Sequence, residues 1–142
     1  MNANWEAMLP IFGTILVVGD DSTIRSLMMD ILTEIGARSV CFGTADEALK
    51  YLQDPHDFCP LAIVDHGLPG KIQGTEFIAL VQDQWPFVCS ILTSGYALDP
   101  ETLSGQTVYL GKPWSPDQLV TCISALLHLR PTSVAPLINQ FD

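Results

Sequence analysis

Several residues able to do chemistry each stand at the end of a short apolar run. Asp20 and Asp21 follow TILVV and Gly19, Asp65 follows LAIV, and Thr93 closes FVCSILT, with Ser94 and Gly95 after it. Lys112, one of three lysines, follows TVYL and Gly111 and precedes Pro113. Carboxylates, hydroxyls and one ammonium form a set suited to a hard cation and a phosphoryl group. Oxygen ligands suit Mg²⁺, a hydroxyl and a lysine hold phosphoryl oxygens, and a carboxylate can be the nucleophile. An Asp after a strand is also a common cap or turn former, so each residue alone says little. Their joint arrival at four strand ends carries the weight.

Bringing these residues together requires a particular arrangement of elements. TILVV (14–18), RSVCF (38–42), LAIV (61–64), FVCSILT (87–93) and TVYL (107–110) read as strands, the apolar ones covered on both faces. Between them run helical patterns. Ile24, Leu27, Met28, Ile31, Leu32 and Ile35 form a stripe closed by Gly36. Thr44 and Glu47 form a capping box before Ala45, Ala48, Leu49 and Leu52. Phe77, Ile78, Val81 and Trp85 mark a third helix ending at Pro86, and Asp99-Pro100-Glu101 opens a short fourth one cut off by Gly105. A box of Ser115, Pro116 and Gln118 opens a fifth, with Leu119, Val120, Ile123, Leu126 and Leu127 inward. Strict strand–helix alternation predicts an α/β domain, a parallel sheet with helices on both faces. Right-handed crossovers bring all strand C-termini to one edge, where ligands of such sheets bind.

Composition narrows the function. The chain has 142 residues, 48% apolar, with sixteen acids against six bases and a formal charge of −10. Without clustered Lys and Arg, neither a nucleic-acid face nor a basic membrane patch is expected. Cys41, Cys59, Cys89 and Cys122 are widely spaced, without C-x-x-C, and read as buried free thiols in a reducing compartment. The N-terminus has no positive n-region, and no run is long enough to span a membrane, so a soluble cytoplasmic chain is expected. Residues 1–13 read as an extension, 14–129 as the domain and 130–142 as a tail or linker. There is no P-loop, G-x-G-x-x-G or G-x-S-x-G, and His56 and His128 lack ligand-spaced partners. His66 reads as an exposed histidine at the edge of the site.

The stretches ILVVGDDSTIR, LAIVDHGLPG, ILTSGYA and YLGKPW, in this order, resemble the receiver (CheY-like) domain of bacterial two-component response regulators. The resemblance implies a doubly wound five-stranded (βα)₅ flavodoxin-like fold with strand order 2-1-3-4-5. It implies Asp65 as phosphoacceptor from a sensor histidine kinase or a histidine phosphotransfer protein. Mg²⁺ would be held by Asp20, Asp65 and the backbone carbonyl of Gly67. Ser94, with Gly95 beside it, and Lys112 would bind the phosphoryl group. Tyr109 would be the switch aromatic, and Lys112–Pro113 a cis bond. Asp21 is either a further metal-site acid or, as preferred, the cap of the helix at Ser22.

Three features depart from the family pattern. Gly19 stands where the first of two acids is usual, the segment between Ser94 and Lys112 is short, and one extra residue precedes Gly74. A phosphorylation-independent interaction module is therefore the alternative to a phosphoacceptor switch that signals by protein contact; homodimerisation stays open for both. A flavodoxin-like cofactor binder is disfavoured, since the acids after the first strand would repel a flavin phosphate.

Overall fold

The computed structural model describes residues 11–54, 58–95 and 106–128. The elements are β1 (Thr14–Val18), α1 (Ser22–Glu34), β2 (Arg38–Phe42), α2 (Ala45–Gln53), β3 (Leu61–Asp65), α3 (Gly74–Gln84), β4 (Cys89–Ser94), β5 (Thr107–Gly111) and α4 (Pro116–His128). All strand pairs are parallel, in the order β2-β1-β3-β4-β5. The expected architecture and strand order are both present. The segment expected to form a short helix from Asp99 lies outside the described residues.

Alternation along the strands sorts the core into two layers. Ile15 and Val17 of β1, Ile63, Ile91 and Leu110 pack with Met28, Ile31 and Leu32 of α1 and Leu119, Val120 and Ile123 of α4. Leu16, Val18, Ala62, Val64 and Leu92 face the other way, against Ala45, Ala48 and Leu52 of α2 and Phe77, Ile78 and Val81 of α3. Helix ends follow their chemistry. Asp21 Oδ1 accepts from the N–H groups of Thr23 (2.9 Å) and Ile24 (3.2 Å), so Asp21 is the N-cap of α1. The helix ends at Gly36 (φ +85°), where Gly36 N donates to Thr33 O (3.0 Å) and Ala37 N to Leu32 O (2.8 Å). Only a residue tolerant of positive φ closes a helix this way. At α4, Ser115 N donates to Gln118 Oε1 (2.8 Å) and Gln118 N to Ser115 Oγ (3.1 Å), the reciprocal box expected from the sequence.

Two expectations change. The fourth strand begins at Cys89, not Phe87, and runs on through Ser94. Val88 N instead bonds to Trp85 O (3.0 Å) in the turn after α3, and the exposed ring of Phe87 stacks on Phe58. In α1, Ile24 and Leu27 lie 38% and 43% exposed instead of joining the core. The first turns of α1 overhang the end of β1, where there is no strand left to cover them.

Candidate functional site at the C-terminal edge of the sheet

The crossovers place Gly19, Asp65, Thr93 and Lys112 together at the edge where the strands end. Lys112 Nζ lies 2.6 Å from Asp65 Oδ1, an ion pair whose carboxylate side is mostly buried. Thr93 Oγ1 donates to the same oxygen at 3.4 Å. Backbone bonds hold the ends of the strands in place, His66 N to Thr93 O at 2.8 Å and Lys112 N to Ser94 O at 2.7 Å. The Lys112–Pro113 peptide is cis.

The hydroxyl on Asp65 Oδ1 is that of Thr93, one residue before Ser94, the residue that the resemblance marks for the phosphoryl group. Register explains the Thr93 contact. Asp65 pairs directly with Thr93, so both side chains leave the sheet on the α1/α4 face. Ser94, one residue on at the end of β4, is buried. Gly95 follows it, exposed. Tyr109 is half-buried, its hydroxyl 3.2 Å from the position a Cβ would take on Gly111.

Behind Asp65, α3 begins in close approach. A Cβ on Gly74 would fall 2.3 Å from the carbonyl oxygen of Asp65 and 3.0 Å from His66 Cα. No side chain fits there, which explains the glycine. Gln73, unnoticed in the sequence, shapes the loop that carries Gly67. Its amide donates to Leu68 O (2.9 Å) and accepts from Leu68 N (3.3 Å), while Gln73 N donates to Glu76 Oε1 (3.1 Å). An amide five residues after its partner Leu68 gives no periodic signal by which it could have been found.

On the other side, Val18 pairs with Val64, so continuing the register sets Gly19 opposite Asp65. A Cβ on Gly19 would meet only Asp65 Cβ, at 3.9 Å. A side chain at position 19 would thus stand against the Asp65 carboxylate, and glycine leaves that space open. Gly19 O accepts a short hydrogen bond from Arg25 Nη1. Asp20, the next residue, is exposed at the end of β1.

Among the described residues no group of three or more His, Cys, Asp and Glu side chains is arranged to hold a metal. Magnesium asks for less. It binds through one or two carboxylates and keeps several waters. Asp20, Asp65 and the exposed Gly67 carbonyl are hard oxygen donors of that kind, so the donor set fits Mg²⁺ with one acid fewer than a site bearing a carboxylate at position 19. Asp21, its carboxylate spent on the α1 N–H groups, is a cap.

None of the four cysteines is in a disulfide, with Cys59 and Cys89 buried and Cys41 and Cys122 half-buried. No helix among the described residues is long and apolar enough to cross a membrane.

No family model matches the chain. It is 29% identical over 126 residues to the hydrogenase transcriptional regulatory protein HoxA of Bradyrhizobium diazoefficiens, covering 85% of this chain and 25% of that protein. Identity to HoxA of Cupriavidus necator is 30% over 117 residues, 78% of this chain and 23% of the relative. The chain thus spans about a quarter of the length of these curated relatives. Among solved structures it is similar to a CheY-like response regulator receiver domain protein from Methanospirillum hungatei, with a TM-score of 0.76 and 28% identity, covering 87% of this chain and all of that one. With the 2-1-3-4-5 sheet and the acid–lysine edge already in view, these likenesses lead to one reading: in fold and in sequence the chain is similar to the CheY-like receiver domains of response regulators.

Proposed function

We propose that this receiver is a phosphoacceptor switch of a two-component system. The supporting observation is the ion pair of Asp65 with Lys112 at 2.6 Å, with the Thr93 hydroxyl on the same oxygen, at the ligand-binding edge of the sheet. An Asp65 oxygen attacks the phosphorus of a phosphohistidine on a histidine kinase or phosphotransfer protein. The new O–P bond forms as the P–N bond breaks, and its electron pair leaves with the imidazole. Lys112 and Thr93 take up charge on the transferring oxygens, and Gly74 lets α3 brace the Asp65 backbone. Asp20, Asp65 and the Gly67 carbonyl would hold Mg²⁺, which when bound neutralises charge on the phosphoryl oxygens. In this reading Ser94, next to Thr93 at the end of β4, senses the phosphoryl group, with Tyr109 answering on β5, and the altered surface engages a protein partner.

Gly19 supports a second reading, an interaction module that works without phosphorylation, because the space facing Asp65 holds no second acid. Incubation with Mg²⁺ and acetyl phosphate, read by intact mass, separates the two. Gain of one phosphoryl mass in the native chain and none in Asp65→Asn supports the switch. An unmodified native chain at millimolar Mg²⁺ refutes it in favour of the second reading.

A further inference from the structure

A cavity of about 450 Å³ opens beside Asp65, between α1 and the loop from β5 to α4. That volume lies within the range of roughly 300–1,000 Å³ typical of small-molecule sites. Val17, Met28 and Ile63 line it, with Trp114 on the loop side and the exposed Ile24 and Leu27 among its α1 residues. These α1 side chains have the helical spacing of core residues yet face the cavity.

Its polar groups are unequally committed. Asp65 is held by Lys112 and Thr93, and Asp21 by the first N–H groups of α1. Arg25 differs. Its guanidinium bonds to the neutral carbonyl of Gly19 and has no carboxylate partner among the described residues. A guanidinium has five donors, and one carbonyl leaves most of them unused. In a chain with sixteen acids and six bases, an arginine that lines a cavity whose two carboxylates, Asp21 and Asp65, are bonded elsewhere is set for an anion from outside. Gly19 keeps that place free, since a side chain there would enter the same space.

We propose that this cavity binds a small aromatic or branched-alkyl carboxylate, its apolar body between α1 and Trp114 and its anion on Arg25. Binding covers Asp65, so such a ligand competes with the phosphodonor. The binding itself needs neither Mg²⁺ nor phosphorylation and stands apart from the phosphoacceptor reading.

The test is a titration of the full chain, without Mg²⁺, with naphthoate, neutral naphthamide and cationic naphthylmethylammonium, followed by amide and indole NMR shifts. Naphthoate should saturate with shifts at Val17, Met28 and Trp114, about tenfold or more tighter than naphthamide, as a charge-assisted contact allows. Arg25→Met should erase that difference, and Gly19→Asp, which supplies an internal carboxylate, should weaken naphthoate at least about tenfold. Asp65→Asn should retain naphthoate binding while losing phosphorylation, so the two readings fail separately. Equal or tighter binding of naphthamide or of the ammonium compound overturns the proposal, as does absence of saturable naphthoate binding. Shifts of these same residues on dilution of the unliganded chain would assign the cavity to a second copy and also overturn it. Should Arg25→Met not fold, the naphthoate-to-naphthamide ratio of the native chain decides alone.

Discussion

Asp21 offers the sharpest separation of two roles that look alike in sequence, a metal-site acid and a helix cap. Its Oδ1 accepts from Thr23 N at 2.9 Å and Ile24 N at 3.2 Å, two of the donors that α1 cannot satisfy internally. Both bonds are exposed, so water replaces them in part when the carboxylate is removed. The loss in Asp21→Ala should therefore be about 1 kcal/mol, the middle of the range for caps. The first turn of α1 holds no acidic residue, so Asp21 alone complements the helix dipole there, adding about 0.3–0.5 kcal/mol. With a urea dependence of roughly 1–3 kcal/mol per molar, the unfolding midpoint should fall by about 0.4–1.5 M. Asp21→Ser keeps a capping oxygen and loses only the charge, so it should recover most of the difference. Calorimetric Mg²⁺ titration provides the second readout. Asp21→Ser should bind Mg²⁺ like the native chain, whereas Asp20→Asn should bind it far more weakly. The reasoning is refuted if Asp21→Ala leaves the urea midpoint in place, or if Asp21→Ser loses Mg²⁺ affinity as Asp20→Asn does.

Two further outcomes test the packing. Gly74→Ala should destabilise the domain by about 1–3 kcal/mol, because the new Cβ would sit 2.3 Å from the Asp65 carbonyl oxygen. Helix propensity alone predicts a gain of about 1 kcal/mol, so the sign of the change in thermal denaturation decides between them. Burial pushes the Cys59 thiol from its ordinary 9.0 up to about 11. Above pH 9 the unfolded chain releases a proton that the folded chain retains, so stability is full below pH 9 and declines between pH 9 and about 11. The decline amounts to about 2–3 kcal/mol, and Cys59→Ala should lack it in urea melts over this window; an equal alkaline slope in both proteins would rule the thiol out.

Read without coordinates, the chain determines a good deal. Short apolar runs, helical stripes and caps mark β1, β2, α2 and α4 closely, since each rests on contacts between near neighbours in sequence. Strict alternation then requires a parallel sheet with one chemical edge, and Asp65 and Lys112 are legible because each directly follows a strand or its last glycine. Matters that depend on register or on neighbouring layers are not legible. Thr93 and Ser94 are adjacent and chemically similar, and a strand shows opposite faces at each step. Only pairing with β3 puts Thr93 beside Asp65. Likewise, Ile24 and Leu27 repeat with the period of the core residues in α1. Periodicity sets the face of a helix but not how far the sheet beneath it extends. Because β1 stops at Val18, these two side chains face a cavity and not a core, and Arg25 is left on the Gly19 carbonyl without an ion pair among the described residues.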